Sequence, residues 1–353
     1  MIEKKIRQIV KRRGIAYNLK NPEWVLDAIM SSQISPSSNS ILINGFWRSG
    51  TTWLLEVVSQ AWRAKPVFEP LIPRLKSYKP YLKAQYSHMM REDGTFVDGL
   101  MPYCDAPMVD CPQLTGYLEL VLSGGSLDYF TRLTRESIRE RRGHHSRWRL
   151  LRVAYRIQDG LQTRVVTKFV RAHLILPALI QRYGMPVLHI RRDPRAVVAS
   201  LKRQKWADWI RQTNLSTLLL ETNDGRETYF SRWDSDIRRL DDHSSYIARL
   251  AGYWSLTERY VEEHTDNSKV IFVQFEDLCR GHEEYFNELI SDTVKLHAKK
   301  DDFAAESKTS NRKTDIRSVE DRLGSWESDL SAGEARTVEQ VVSDLGMEKY
   351  LVT

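Results

Sequence analysis

An eight-residue segment, GFWRSGTT at residues 45–52, has the composition and spacing of a phosphate-binding loop. It fits the pattern G-x-x-x-x-G-T-T, and a continuous apolar run, ILINGF at 41–46, leads into it. Apolar residues at helical spacing follow in WLLEVVSQAWRA. A strand, a glycine-bounded loop and a helix N-terminus in this order direct free backbone N–H groups toward an anion. We therefore predict that residues 45–52 hold a phosphate-type group.

This loop lacks the lysine that a typical ATPase needs. A Walker A loop carries lysine at the position of Thr51, whereas the cation of this loop is Arg48. Thr52 has no lysine neighbour to secure a magnesium-binding role, and the sequence shows no clear Walker B acid. These departures predict a phosphate-type site in a protein that is not a typical ATPase.

Strands and helices alternate along most of the chain, which predicts an α/β fold. Segments rich in apolar and β-branched residues predict strands at 41–46, 66–70, 165–169, 186–190 and 269–275. Helical spacing predicts helices at 174–184, 191–204, 247–264, 283–299 and 332–346. This alternation is typical of a P-loop-like parallel sheet with helices on both faces.

The alternation breaks down between residues 74 and 160. We expect one domain across residues 1–353, with 74–160 as a large, mostly helical insertion that shapes a ligand pocket. Its aromatic residues could stack on a sugar ring or an aglycone, or could form a satellite core: Tyr78, Tyr81, Tyr86, Tyr103, Tyr117, Tyr129 and Phe130.

The positive charge of the chain is concentrated in this insertion. Residues 132–156 carry nine arginines and two glutamates, an excess equal to the net charge of +7 of the whole chain. Arginine suits bidentate contact with sulfate, phosphate or carboxylate. The segment is therefore either a solvated helical face or a surface for an anionic acceptor, a nucleic acid or a lipid headgroup.

Two motifs resemble those of the sulfotransferases, enzymes that use 3′-phosphoadenosine 5′-phosphosulfate (PAPS). WRSGTTWL at 47–54 resembles the family's 5′-phosphosulfate loop. VLHIRRDPRAVVAS at 187–200 resembles the strand, turn and helix that bind the 3′-phosphate, and Arg192 and Ser200 have the family's spacing of eight residues. The resemblance implies an enzyme that moves the sulfuryl group of PAPS to an acceptor by in-line transfer and leaves 3′-phosphoadenosine 5′-phosphate (PAP).

The motifs are most similar to those of the carbohydrate sulfotransferase branch. RSG stands in place of KSG, and FEPL at 68–71, VVTKFVRAHL at 165–174 and FEDL at 275–278 resemble that branch. TSNRK at 309–313 resembles the family's C-terminal cap. The animal enzymes of this branch carry an N-terminal membrane anchor, and we expect none here, so location and acceptor do not follow from the resemblance.

The resemblance also implies roles for individual residues. Arg48 is expected to stabilise charge on the bridging oxygen and the sulfate. The other expected donor-binding residues are Ser49, Gly50, Thr51 and Thr52 at the 5′ side, Trp53 near adenine or in the core, Arg192 and Ser200 at the 3′-phosphate, and Arg312 and Lys313 closing over it. We expect no metal, because these cations and the helix N–H groups can hold the leaving phosphate and no metal-ligand motif is evident.

An acceptor hydroxyl must lose its proton during attack, so the site needs a base. Glu69 is our candidate, because it follows a short strand near the carboxyl edge of the sheet, where α/β sites form. His173 is the competitor: Lys168 and His173 loosely resemble the K-x-H of the cytosolic branch, although five residues separate them instead of two. Lys168 and Arg171 are expected near the sulfate or the acceptor.

The expected acceptor is a sugar or a glycosylated metabolite, and a small natural product with a hydroxyl or amine is the alternative. Outside this class, a P-loop kinase and a non-catalytic polyanion-binding protein stay open. We expect no nucleic-acid partner, and no transmembrane segment because no apolar run reaches the roughly 18 residues of a spanning helix. Three cysteines without C-x-x-C spacing predict no disulfide framework and a reducing, cytoplasmic location.

Overall fold

The computed structural model describes most of the chain. The described residues are 34–75, 77–105, 108, 112–125, 163–204, 208–243, 245–266, 268–291, 294, 296–299, 303 and 319–352. The predictions for Arg312, Lys313, Tyr129, Phe130 and residues 132–156 lie outside them.

Five parallel strands form one sheet in the order β2-β3-β1-β4-β5. The strands are β1 Ser40–Asn44, β2 Lys65–Phe68, β3 Val165–Phe169, β4 Val187–Arg191 and β5 Val270–Gln274. Asn44, the last residue of β1, lies beside Phe169 of β3 and His189 of β4. The chain therefore leaves β1 at the centre of the carboxyl edge, where connections diverge to the two sides of the sheet.

Helices connect the strands and cover the sheet. They are α1 Pro36–Asn39, α2 Thr51–Ala61, α3 Lys79–Gln85, α4 Pro112–Leu122, α5 Leu176–Tyr183, α6 Pro194–Arg203, α7 Asp208–Arg211, α8 Leu215–Leu219, α9 Arg226–Phe230, α10 Asp234–Asp242, α11 Tyr246–His264, α12 Phe275–Ile290, α13 Val319–Leu323 and α14 Ala332–Asp344. Short 3-10 turns lie at Ser87–Met89, His173–Ile175, Ser231–Trp233, Gly324–Ser328 and Glu348–Tyr350. None of the described helices combines the length and the apolar character needed to cross a bilayer.

The side chains of β1 alternate between two hydrophobic clusters on opposite faces of the sheet. Ile41 and Ile43 join the cluster that contains Val57 of α2, whereas Leu42 joins the cluster that contains Leu179 of α5. Every residue of β1, β3 and β4 is buried. Continuous apolar strands are required when helices cover both faces of a parallel sheet. The predicted α/β fold, a P-loop-like parallel sheet flanked by helices, is therefore confirmed.

Some predicted elements have different ends in the structure. Strand β2 stops before Glu69, whose φ of +42° is incompatible with extended backbone. The helix predicted at 283–299 instead begins at Phe275, directly after β5. It breaks at His282, where φ is 41° and ψ is −123°, and it ends at Ile290.

The tyrosines of the insertion are buried where the structure describes them. Tyr78 stacks on Tyr81 and Tyr117, with ring centroids 5.6 and 5.4 Å apart. These rings belong to the same cluster as Leu42 of β1 and Phe169 of β3. They therefore pack as part of the core beside the sheet.

Candidate active site

The loop between β1 and α2, residues 45–52, is called the glycine loop below. It turns through two left-handed residues, Arg48 with φ of 69° and Gly50 with φ of 92°. A Cβ on Gly50 would lie 2.5 Å from the ring of Phe275, and a Cβ on Gly45 would collide with the carbonyl oxygen of Ile190 in β4. Glycine is needed at both positions for close approach, and at Gly50 also for the backbone conformation.

The start of α2 offers hydrogen-bond donors that the helix does not use. The first helical bond runs from the Leu54 N–H to the carbonyl oxygen of Gly50 (3.0 Å), so the amides of residues 50–53 precede the helical ladder. The hydroxyl of Ser49 is buried and has no hydrogen-bond partner among the described residues. These donors fit a phosphate-type anion.

The turn after β4 places further cations beside the glycine loop. Asp193 caps α6 by accepting a hydrogen bond from the amide two residues later (2.8 Å). Arg192 Nη1 donates to the carbonyl oxygen of Arg48 (3.1 Å). Arg48 Nε in turn donates to the hydroxyl of Ser200 in α6 (2.9 Å). The two predicted anion-binding segments therefore adjoin through direct hydrogen bonds.

Positive charge is concentrated where these segments meet. Burial, followed by the nearby charges of Arg192 and Arg203, lowers the pKa of Arg48 to about 10. Burial also lowers the pKa of Arg192, against the opposing charge of Glu276. Arg192 Nε is buried and has no acceptor within the described part of the chain. Guanidinium groups that repel one another in a buried place favour an anion between them.

The FEDL segment that follows β5 supports both sides of this junction. The guanidinium of Arg192 lies over the ring of Phe275, 4.4 Å from its centroid. The same ring packs edge-to-face against Trp53 of α2, with centroids 5.9 Å apart. Glu276 Oε1 accepts a hydrogen bond from the amide of Asp193 (3.0 Å). One segment thus positions the glycine loop and the turn that carries Arg192.

Glu69 forms a network with two cations at the same edge of the sheet. Lys168 Nζ, near the end of β3, donates both to Glu69 Oε1 and to Thr52 Oγ1, the latter at 3.2 Å. Arg171 Nη1 lies 3.4 Å from Glu69 Oε2, and its Nε donates to the carbonyl oxygen of Asp98 (2.8 Å). One lysine therefore joins the carboxylate to the glycine loop.

The surroundings of Glu69 keep its carboxylate ionised. Burial acts to raise its pKa, but the charges of Lys168 and Arg171 hold the pKa below its ordinary value. Its side chain stays 16% exposed, and its positive φ turns the residue out of β2. Left-handed backbone in a non-glycine residue is strained and is concentrated at functional sites. Glu69 therefore presents an ionised, partly exposed carboxylate at the carboxyl edge of the sheet.

A family model described as the sulfotransferase domain matches residues 38–291, which is most of the chain. The chain belongs to this sulfotransferase family. The match contains the glycine loop, the β4 turn and Glu69. A comparison with curated proteins finds no match.

Solved sulfotransferase structures are among those similar to this sulfotransferase. The sulfotransferase domain of the olefin synthase from Synechococcus PCC 7002 is 14% identical, with 89% of this chain and 96% of that chain covered and a TM-score of 0.41. The domain from the curacin biosynthetic pathway is 11% identical, with 86% and 96% covered and a TM-score of 0.40. A sulfotransferase from Mycobacterium tuberculosis is 12% identical, with 92% and 83% covered and a TM-score of 0.35.

The sulfotransferase fold brings many of the predicted residues together. Those joined at the carboxyl edge are Arg48, Ser49, Gly50, Thr52, Glu69, Lys168, Arg192 and Ser200. Thr51 is 3% exposed on the inner face of α2. Trp53 is 5% exposed and also packs edge-to-face against Phe303, with centroids 6.0 Å apart. The ring of Trp53 therefore belongs to the core, in contact with the site through Phe275.

His173 belongs to a different and fully buried network. Its Nε2 lies 3.1 Å from Glu258 Oε1, and His189 Nε2 lies 2.7 Å from Glu258 Oε2. Arg191 Nε donates to the same Oε2 at 2.9 Å. Both histidines and Glu258 have no exposed side-chain surface. His173 thus faces a core carboxylate, on which three donors converge.

This network has the residue types of a metal site. Within the described ranges, the ligand atoms of His173, His189 and Glu258 lie within 4.8 Å of one another. The guanidinium of Arg191 on the same carboxylate repels a cation placed there. Burial acts to raise the pKa of Glu258, but His189 and His173 hold it well below its ordinary value. We interpret the cluster as an ionised carboxylate held by hydrogen bonds in the core.

Three residues that the structure places at the site were not predicted to act there. Phe275 and Glu276 belong to the FEDL segment. Its resemblance to the carbohydrate branch did not indicate that it contacts Arg192 and Asp193. Arg203 lies one turn after Ser200 in α6, and its Nη2 is 3.5 Å from the Ser200 hydroxyl. The available signal was the spacing of three residues, which puts Ser200 and Arg203 on one helix face.

Proposed function

We propose that this sulfotransferase takes the sulfuryl group from PAPS and releases PAP. The observation that carries the proposal is the direct contact of two anion-binding segments: Arg48 donates to Ser200, and Arg192 donates to the Arg48 carbonyl oxygen. A nucleotide with phosphates at both its 5′ and 3′ positions needs two adjoining sites of this kind. An ATP site of the Walker type depends on a lysine that this loop lacks.

The residues of the site fit the two ends of such a nucleotide. The Ser49 hydroxyl, which has no partner among the described residues, and the amides of residues 50–53 would hold the 5′-phosphate side. Ser200 and Arg192, whose Nε meets no acceptor in the described part of the chain, would hold the 3′-phosphate. Arg312 and Lys313 stay predictions for the closing contact. When bound, PAPS supplies an activated sulfuryl group whose leaving group is the phosphate end of PAP.

Two cations are placed to stabilise the charge that sulfuryl transfer develops. Like phosphoryl transfer, it is helped mainly by positioning and by charges aimed at the transferred group and the leaving oxygen. Arg48 lies in the glycine loop itself, and Lys168 contacts Thr52 of that loop. We assign the stabilisation of the leaving phosphate to these side chains and the helix amides, without a metal ion.

We propose Glu69 as the base that accepts the acceptor's proton. Its carboxylate is ionised, partly exposed and joined through Lys168 to the glycine loop. His173 is less suited, because its Nε2 is occupied by Glu258 and its side chain is fully buried. A proton acceptor must reach the reacting hydroxyl, and the exposure of the two side chains therefore favours Glu69.

We propose a sugar or a glycosylated metabolite as the acceptor, on the resemblance of RSG and FEPL to the carbohydrate branch. The insertion 74–160 borders the base: Arg171 contacts Glu69, donates to the carbonyl oxygen of Asp98 and lies 5.0 Å from the ring centroid of Trp47. This chain of contacts supports a role of the insertion in shaping the acceptor pocket. A small natural product with a hydroxyl or amine is the alternative acceptor.

Calorimetric titration of the full chain with PAP and with MgATP tests the donor. We expect PAP to bind more tightly, because it alone offers an anion to both segments. Labelled PAPS incubated with a panel of sugars, glycosides and aromatic alcohols then tests sulfuryl transfer. Tighter binding of MgATP would favour a kinase, and salt-dependent polyanion binding without any transfer would favour a binding module.

Glu69→Gln tests the base. We expect turnover to fall by about 100-fold or more, the usual contribution of a positioned base, with little change in PAP affinity. The control is His173→Gln, whose side-chain amide can still donate to Glu258; we expect it to retain most of the wild-type rate. Near-normal turnover in Glu69→Gln together with a collapse in a folded His173→Gln would reverse the assignment.

A further inference from the structure

Arginines from different elements converge on the hydroxyl of Ser200. Arg48 Nε of the glycine loop donates to it at 2.9 Å. Arg203 Nη2, one helical turn further along α6, lies 3.5 Å from the same oxygen. Arg192 joins the group through its hydrogen bond to the Arg48 carbonyl oxygen (3.1 Å). The place assigned to the 3′-phosphate therefore lies next to a third guanidinium group.

Arg203 also has a carboxylate partner. Its Nη1 forms an ion pair with Asp329, which follows the 3-10 turn Gly324–Ser328. The two side chains are 33% and 17% exposed, so water and small anions can reach the pair. Ion pairs with this degree of exposure contribute little to stability. Arg203 can therefore exchange Asp329 for a stronger anion without destabilising the fold.

On the donor site proposed above, we propose that Arg203 is a third arginine of the 3′-phosphate site and that Asp329 holds its guanidinium until the nucleotide binds. A phosphate monoester carries a charge of about −1.5 to −2 at neutral pH and three strong acceptor oxygens. Beside Arg192 and Ser200, the Arg203 guanidinium adds further N–H donors for these oxygens. A dianionic phosphate competes effectively with one carboxylate, so Arg203 moves from Asp329 to the nucleotide.

This assignment makes Arg203 a specificity-determining residue. Its position beside Ser200, in the proposed 3′-phosphate site, gives it a partner only in nucleotides with a 3′-phosphate. PAP has that group and adenosine 5′-phosphate (AMP) does not, whereas both have the 5′-phosphate that the glycine loop is proposed to bind. Loss of Arg203 should therefore weaken PAP and leave AMP unchanged.

The neighbouring ion pair supplies a matched control. Lys202 of α6 pairs with Glu334 of α14, and the two side chains are 33% and 26% exposed. Lys202→Met and Glu334→Gln remove that pair one residue from Arg203, and glutamine can still serve the capping box of α14 with Ser331. The test variants are Arg203→Met and Asp329→Asn. All four are measured in the full chain by calorimetry with PAP and with AMP, after thermal unfolding confirms a cooperative fold.

We expect Arg203→Met to weaken PAP by at least about tenfold, as for the loss of one charge-assisted contact. Asp329→Asn should strengthen PAP by a few-fold, because the competing carboxylate is gone. AMP affinity should not change in either variant, and Lys202→Met and Glu334→Gln should bind both nucleotides like the wild type.

Equal effects of Arg203→Met and Lys202→Met on PAP affinity would overturn the inference. If Arg203→Met does not fold, Asp329→Asn decides alone: unchanged or weaker PAP binding in that variant overturns the inference. If the wild-type chain binds PAP but Arg203→Met and Asp329→Asn behave like their controls, the inference fails and the proposed function stands. Failure of the wild type to bind PAP overturns the proposed function, and this inference with it.

Discussion

At the scale of single residues, Lys168 joins the proposed base to the glycine loop. Its Nζ contacts Glu69, on the proposed acceptor side, and Thr52, on the proposed donor side. Burial lowers its pKa, and the charge of Glu69 opposes that change. The lysine and the glutamate therefore hold each other in their charged forms. This coupling links the strength of the proposed base to the cation that is proposed to stabilise the sulfuryl group.

Lys168→Met should change the pH dependence of turnover as well as its rate. A base acts when it is deprotonated, so the rate falls as the pH decreases through the pKa of Glu69. In the wild type that pKa lies below its ordinary value, and we expect kcat/KM to show no acid limb between about pH 5 and pH 8. Without the charge of Lys168, burial raises the pKa of Glu69, and an acid limb should enter this range.

Lys168→Arg provides the control for this experiment, because it keeps the positive charge beside Glu69. Its profile should retain the wild-type shape even where its rate is lower. A slow Lys168→Met enzyme with an unchanged pH profile would show that Lys168 does not set the state of the base. The profile thus separates the electrostatic role of Lys168 from simple loss of packing.

At the scale of elements, the glycine loop packs against the first residue of α12, Phe275. Gly50 and Phe275 are so close that a single added carbon would lie 2.5 Å from the ring. The guanidinium of Arg192 packs over the same ring in a cation–π contact. A strand end, a helix start and a loop from three distant parts of the chain are thereby locked in one arrangement. We expect the spacing of the two proposed anion-binding segments to depend on this contact.

Gly50→Ala tests the contact, and Gly94→Ala is its control. Both glycines have positive φ, 92° and 73°, but a Cβ on Gly94 would meet no atom within 4 Å. Gly94→Ala should cost only the backbone strain, about 1–2 kcal/mol. Gly50→Ala should cost about 1–3 kcal/mol more from overpacking against Phe275, and it should weaken PAP binding. Chemical denaturation and calorimetry measure the two effects, and equal losses in both variants would contradict a close Gly50–Phe275 contact.

Local sequence patterns predicted where the strands lie, but not which strands pair or which distant residues contact one another. The apolar run at 41–46 predicts a buried strand because each residue of β1 faces one of two covering layers. Nothing in a local pattern specifies that β1 lies between β3 and β4, since strand pairing joins distant segments. The contact of Glu276 with Asp193 spans 83 residues and leaves no periodic signal. Glu69 could be proposed from its place after a strand. The spacing of Ser200 and Arg203 indicated a shared helix face, but not that Arg48 reaches the same hydroxyl.

At the scale of the whole molecule, the region after the family match completes the site. The match ends at residue 291, but Glu339 of α14 pairs with Arg195 in the first turn of α6 (2.9 Å). The amide of Val352 donates to Asp193 Oδ2 (3.1 Å). Both contacts fasten the turn that carries Arg192. The C-terminal helix and the residues after it therefore belong to the same structural unit as the proposed donor site.

The Glu258 network ties the centre of the molecule together. Glu258 of α11 receives His173 from the turn after β3 and both His189 and Arg191 from β4. His189 Nδ1 also lies 3.0 Å from the side-chain amide of Asn44, the last residue of β1. The turn after β3, strand β4 and the longest described helix thus meet at one buried carboxylate, and β1 is joined to it through His189. We expect the Glu258 network to make the stability of the fold sensitive to acid.

Burial lowers the pKa of His189 from 6.5 to about 4, so this histidine is neutral in the folded protein at neutral pH. In the unfolded chain the pKa of His189 returns to its ordinary value. Between pH 4 and 6.5 the unfolded chain therefore binds a proton at this histidine, whereas the folded chain does not. The free energy of unfolding should therefore fall as the pH decreases from 6.5 toward 4, by up to about 3 kcal/mol from this residue. Urea denaturation at intervals across this range measures the loss.

The comparison of two histidine variants assigns that loss to the network. His189→Gln removes the titrating ring but keeps an amide that can donate to Glu258, so its stability should depend less on pH over the same range. His88→Gln changes an exposed histidine in the 3-10 turn Ser87–Met89 and should keep the wild-type slope. A His189→Gln protein that loses stability with acid as steeply as the wild type would place the acid-sensitive group elsewhere. A flattened slope in His189→Gln alone would mean that the buried Glu258 network, through its neutral histidine, limits the pH range over which the arrangement of β1, β3 and β4 at the carboxyl edge is maintained.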